Sequence, residues 1–153
     1  MSAIIDLQIA CQPNQSIPSQ EDIQRWADIA LTVSNDSERE ITVRLVDTGE
    51  SQQLNGEYRD KPKPTNVLSF PFECPPQIEL PLLGDLVICP VVVEAEAVEQ
   101  SKQLQHHYAH LVIHGVLHLL GYDHIDPVQA DEMESIETRL LAKLGIDDPY
   151  QDH

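Results

Sequence analysis

GDLVICPVVVEAEAVEQ, residues 84–100, changes its pattern half-way along. As far as Cys89 it reads as a short strand, rich in the branched apolar residues that suit a pleated sheet. Pro90 then lacks the N–H a ladder needs, and its fixed φ suits the first position of a helix, so VVVEAEAVEQ continues as one. Strands lie mostly before this junction and helices mostly after it, and that order predicts an α+β domain. Upstream, IIDLQIA (4–10) and NVLSFPF (66–72) read as further strands, the latter divided from GDLVIC by a Pro-rich connection from Pro71 to Pro81. In EITVRLVD (40–47), Ile41, Val43 and Leu45 alternate, as a half-buried strand does. Between the first two strands, SQEDIQRWADIAL (19–31) offers Ser19 as an N-cap, and Ile23, Trp26, Ala27, Ala30 and Leu31 form one helical face. Residues 48–65 are polar, with room for a short helix, and end in KPKPT.

Downstream of the junction, the helix opened by Pro90 falters near Ser101. A second runs from about Leu104 to Leu120 and stops at Gly121, which can take the left-handed cap conformation. Asp126 and Pro127 resemble an N-cap and an N1 proline, and Met133, Ile136, Leu140 and Leu144 mark the buried stripe of a last helix that Gly145 closes. The expectation is a single domain over residues 1–153. It has a small mixed sheet of about four strands packed by helices, and a central helix carries two metal-ligand histidines.

A chain of 153 residues can bury a sizeable core without disulfides. Cys11, Cys74 and Cys89 are odd in number and form no CxxC, as expected of reduced thiols that serve packing. No segment is apolar enough to span a membrane, and the first residues lack the pattern of a secretory signal, so a cytoplasmic protein is expected. Nine Lys and Arg face 26 Asp and Glu, a net charge of −17. Such a field repels nucleic acid at long range, so any RNA contact must come from a local patch, a metal or a partner. The plainer reading is that the acidity keeps the protein in solution.

HGVLHLLGYDH (114–124) places three of the seven histidines within eleven residues. His114 and His118, four apart on a helix, point the same way and stand about 6 Å apart along the axis. His110 is in register too, but its rise to His118 is about 12 Å, too far for one ion with bonds of about 2 Å. The third ligand must come from chain that turns back, and Gly121 supplies the turn that brings His124 round. The spacing predicts one ion held by His114, His118 and His124, with a position open to water. His106, His107 and His110 are assigned no functional role. Zinc peptidases carry a glutamate after the first histidine as general base. Here that residue is Gly115, which argues against peptide hydrolysis but not against hydrolysis, and which lets another backbone or a substrate come close.

Arg59, Lys61 and Lys63 lie within five positions in an otherwise acidic chain. They form either a solvated loop or a patch for phosphate, to which the planar, permanently charged Arg is the best suited. Asn66 and Ser69 could line a groove beside Arg59, or serve only strand and turn roles.

YRDKPKPTNVLSF (58–70), LGDLVIC (83–89), HGVLHLLGYDH (114–124) and LGIDDPY (144–150), in that order, resemble the YbeY family of bacterial ribosomal-RNA maturation endoribonucleases. The resemblance spans nearly the whole chain, and the histidine motif with its GYDH is the most specific part. It implies that His114, His118 and His124 are zinc ligands and that Arg59 engages the RNA phosphate. It further implies a zinc-dependent, single-strand-specific endoribonuclease in small-subunit rRNA 3′-end maturation and ribosome quality control. Its expected partners are single-stranded rRNA, ribosomal proteins of the small subunit and an assembly GTPase. Two rival readings remain: a non-catalytic, zinc-containing assembly factor, in which Cys74 could complete the metal shell, and a metalloprotease.

Overall fold

The computed structural model describes residues 3–11, 16–34, 39–61, 63–72, 82–123 and 125–149. Among them are four strands, β1 (Ala3–Ala10), β2 (Arg39–Val46), β3 (Val67–Pro71) and β4 (Leu82–Ile88), and five helices. The helices are α1 (Gln20–Leu31), α2 (Thr48–Arg59), α3 (Pro90–Glu99), α4 (Leu104–Leu119) and α5 (Pro127–Ala142). The strands form one mixed sheet in the order β1-β2-β4-β3. β1, β2 and β4 run parallel, and β3 pairs antiparallel with β4. The expected α+β architecture with a small mixed sheet is therefore observed. Parallel neighbours need a crossover, which α1 provides between β1 and β2. No described helix is long and apolar enough to cross a membrane.

Successive side chains of a strand face opposite ways. Ile41, Val43, Leu45, Leu86 and Ile88 join the main core, whereas Val46, Leu68, Val87 and Cys89 form a smaller cluster with Leu54 of α2. Helix α4 is the spine of the main core. Tyr108, Ala109, Val112, Ile113, Val116 and Leu117 are all buried, with α1 and the sheet packed against it. Trp26 is 2% exposed within that core, as a packing residue rather than a base-stacking platform. Cys11 and Cys89 are free thiols, half-buried and buried, whereas Cys74 and most of the Pro71–Pro81 connection lie outside the described residues.

The caps read from the sequence are present. Ser19 Oγ accepts from the Asp22 N–H at 3.1 Å, and Asp126 accepts from the Gln129 N–H at 2.8 Å. Gly121, at φ +106°, ends α4 in a Schellman turn: its N–H donates to His118 O, and the Tyr122 N–H donates to Leu117 O, both at 3.0 Å. Ser101, where α3 was expected to falter, has φ +56°.

Two helices differ from expectation. Residues 48–65 were expected to hold at most a short helix, yet α2 is 12 residues long. Its buried face carries Ser51 and Asn55, so no apolar periodicity marks it. Those side chains tie the following loop to the helix. Ser51 Oγ accepts from the Thr65 N–H (2.9 Å) and donates to Thr65 O (3.1 Å), while Asn55 Nδ2 donates to Lys63 O (2.9 Å). In α5 the buried set is Met133, Glu137, Leu140 and Leu141, with Ile136 and Leu144 only partly covered. A carboxylate therefore sits where an apolar stripe was expected.

Gly115 answers to the sheet rather than to a substrate. A Cβ there would stand 2.7 Å from Leu86 Cδ2 and 3.4 Å from Ser69 Oγ. The glycine lets α4 lie directly on β3 and β4, which sets the height of the histidines that flank it.

Candidate metal centre

His110, His114 and His118 follow one another at four-residue intervals along α4 and share a face. The His110 and His114 ring centres are 6.2 Å apart, and those of His114 and His118 are 4.6 Å apart. Opposite them stands Glu137 of α5, with only 1% of its side chain exposed. Its Oε1 lies 2.7 Å from His114 Nδ1 and 3.1 Å from His110 Nε2. Burial on its own would raise the Glu137 pKa. The hydrogen bonds from His110 and His114, and their charge, outweigh it and hold the carboxyl down to about 2. An ionised carboxylate can only accept, so the ring nitrogens facing it carry the hydrogens.

Among the described residues, His110, His114 and Glu137 form a group whose donor atoms all lie within 4.8 Å of one another and that could hold a metal ion. The third donor in that group is a carboxylate, where the expected zinc shell had three histidines. His110 and Glu137 correct the reading of the sequence in two ways. His110, assigned no role, belongs to the histidine cluster, and Glu137 was not singled out at all. Its signal was an acidic residue one turn from Met133 on an otherwise apolar face, which resembles a helix edge until α4 is seen beside it. His124, expected as the third ligand, lies outside the described residues.

On the other face of the His114 ring, Nε2 lies 3.1 Å from His118 Nε2. Ligands bonded at about 2.0–2.1 Å around a tetrahedral ion stand roughly 3.3 Å apart, so this pair is spaced to share one. The donor chemistry suits a borderline ion such as zinc: imidazole nitrogens, with a carboxylate behind one of the rings. Glu137 would orient His114 through Nδ1 and raise the basicity of Nε2. Replacing it with Gln, which keeps the shape and removes the charge, should weaken metal affinity about 10- to 100-fold. Competition against a chromophoric chelator would measure this, and unchanged affinity would remove Glu137 from the centre.

His114 and His118 open onto a cleft of about 450 Å³ that Arg59, Asn66, Ser69, Glu96 and His107 also line. The cleft thus gathers α2, β3, α3 and α4 around one space. Arg59 sits in the last turn of α2, exposed, and Asp60 behind it takes the left-handed conformation at φ +57°. The polar ties from Ser51 and Asn55 hold this corner in place. Lys61 and Lys63 are exposed too but do not line the cleft. Asn66 and Ser69 line it as well.

The solution structure of TM1509 from Thermotoga maritima shares this fold, with a TM-score of 0.56 at 23% identity, covering 97% of this chain and 100% of that one. The model of the family described as Endoribonuclease YbeY matches residues 8–145. That span takes in β2, β3, β4, Arg59 and all the histidines of α4, and with it the chain belongs to the YbeY family of endoribonucleases, metal-dependent hydrolases of RNA.

Proposed function

We propose that the protein is a zinc-dependent, single-strand-specific endoribonuclease that matures the 3′ end of small-subunit rRNA and takes part in ribosome quality control. The observation that carries this reading is the cleft, which sets Arg59 and the α4 histidines around one space although 55 positions separate Arg59 from His114. His114, His118 and His124 would hold the ion. When bound, zinc supplies the Lewis acidity that makes water a nucleophile near neutral pH. Arg59 binds the scissile phosphate and balances its developing charge. At −17, the protein binds free RNA weakly, so small-subunit proteins and an assembly GTPase in the cytoplasm deliver the substrate.

His110, His114 and Glu137 make an alternative ligand set, and both sets need His114, one through Nδ1 and the other through Nε2. The 2.7 Å contact between Nδ1 and Glu137 is shorter than two ligands of one ion stand apart, and it matches a charge-assisted hydrogen bond. That favours the ion on the Nε2 side. A metalloprotease is disfavoured, because the position of its general base is Gly115, packed on Leu86.

Arg59→Glu tests the phosphate role. Hydrogen bonds to charged groups contribute about 1.5–3 kcal/mol, and the reversed charge adds repulsion. Cleavage of single-stranded rRNA, as kcat/KM, should fall on the order of 100-fold with zinc content unchanged. Equal cleavage would leave Arg59 a solvated residue and favour a site for the RNA elsewhere.

A further inference from the structure

Two cavities adjoin at the turn between α3 and α4. Gln100, Lys102, His107, His110 and Pro149 line both the histidine cleft and a second cavity of about 520 Å³. Among the described residues that line the cleft, Arg59 and Lys102 are the two with a permanent positive charge. Arg59 comes from α2, whereas Lys102 stands where the two cavities adjoin.

The backbone fixes that placement. Ser101 takes the left-handed conformation at φ +56° and its N–H donates to Val98 O at 3.2 Å, while the Lys102 backbone N–H donates to Ala97 O at 2.9 Å. This is a Schellman turn, with serine where glycine is usual, and it sets Lys102 two residues before α4 begins. The Lys102 side chain is half-buried. Burial is the main cause that holds the His107 pKa down, and the Lys102 charge adds to it against the pull of Glu96, so the ammonium stands near that ring.

Glu96, the acidic residue of the cleft, is engaged by others: its Oε1 lies 3.0 Å from His107 Nε2 and accepts from Asn66 Nδ2 at 3.0 Å. Among the described residues, Lys102 has no carboxylate within ion-pair distance, whereas Arg25 and Arg44 pair with Asp22 and Glu50. In a chain with 26 acids against nine bases, a half-buried lysine left unpaired beside a cleft is open to an anion from outside.

We infer that Lys102 binds a second phosphate of the RNA strand, away from the cut, and so holds the strand along α4; this rests on the ribonuclease reading given above. From Leu104 to His114 the helix rises about 15 Å, so Lys102 and an ion at His114 meet different phosphates. The ammonium is a point charge with rotatable donors, which suits a phosphate that needs holding but no exact orientation, whereas the planar fork of Arg59 suits the one that is cut. The phosphate track ends there, because Glu99, Asp147 and Asp148 line the second cavity beside Lys102 and repel the backbone.

The test uses the full-length, zinc-loaded protein and an end-labelled single-stranded rRNA fragment. Lys102→Ala should raise KM about tenfold at low salt, the low end of what a hydrogen bond to a charged group contributes, with kcat and zinc content unchanged. Affinity, read by fluorescence anisotropy before cleavage sets in, should fall with log salt less steeply by about 0.7, the share of one phosphate contact on a single strand. Lys102→Arg, which keeps the charge, should retain the wild-type slope. Lys143→Ala removes an exposed lysine at the end of α5, outside the cleft, and should change neither quantity. An unchanged salt slope in Lys102→Ala, or an equal loss in Lys143→Ala, would overturn the inference and leave the ribonuclease reading standing. A fall in kcat or zinc content with Lys102→Ala would make the lysine a support of the metal centre and would also overturn it. Absence of RNA cutting by the wild type itself would strike the ribonuclease reading and this inference with it.

Discussion

His114→Ala is expected to abolish detectable RNA cleavage, a loss of at least about 1,000-fold. His114 is the one residue common to both ligand sets, and its two ring nitrogens face Glu137 on one side and His118 on the other. Removing it takes away the proposed ligand and leaves the buried Glu137 carboxylate paired with His110 alone. Lewis-acid stabilisation is worth several kcal/mol, and each 1.36 kcal/mol is a factor of ten in rate. Zinc content, measured by elemental analysis after dialysis, should fall in parallel. The fold should survive, because the His114 side chain is 23% exposed and lines the cleft rather than the core. Full activity with bound zinc would place the ion elsewhere on the protein.

Gly84→Ala should bring the largest loss of stability. Gly84 begins the pairing of β4 with β3, opposite Pro71, at φ +152°, beyond the easy reach of an L side chain. An added Cβ would press on the Phe70 carbonyl oxygen of β3 and stand 2.7 Å from Leu119 Cδ2 of α4. Backbone cannot yield as a side-chain tip can. Overpacking of this kind costs about 1–3 kcal/mol and the backbone conformation about 1–2 more. A total of roughly 2–5 kcal/mol is a large share of the 5–15 kcal/mol that a domain of this size has to lose. Urea denaturation would read it, and a change under 1 kcal/mol would mean that β3 and β4 part easily at this point. Such parting would matter for function, since β3 carries Ser69 and is preceded by Asn66 on the cleft wall.

The residues that decide the local backbone were legible in the sequence because their chemistry acts over short range. Ser19, Gly121 and the Asp126–Pro127 pair each satisfy or replace a backbone donor within three or four residues, and each stands where the sequence placed it. Strands with alternating apolar residues were readable for the same reason. What could not be read was a polar residue whose partner is remote. α2 faces inward with Ser51 and Asn55, which have a purpose only once residues 63–65 fold back onto them. Glu137 is 23 positions from His114, and Glu96 is 30 from Asn66. On a linear sequence each carboxylate reads as part of a solvated helical face. The i, i+4 spacing drew attention to His114, which belongs to the group that could hold a metal, but the same spacing placed His110 in register without revealing that α5 would bring an anion to meet it.

In the proposed reading, the cleft joining Arg59 to the α4 histidines cuts RNA through a metal held at His114. The most direct test is cleavage of an end-labelled single-stranded rRNA fragment by wild-type protein, before chelation, after chelation, and after zinc is restored. Cutting that disappears with the chelator and returns with zinc, and that His114→Ala lacks under all three conditions, is the predicted result. Cutting that persists through chelation, or that His114→Ala retains, would contradict the account.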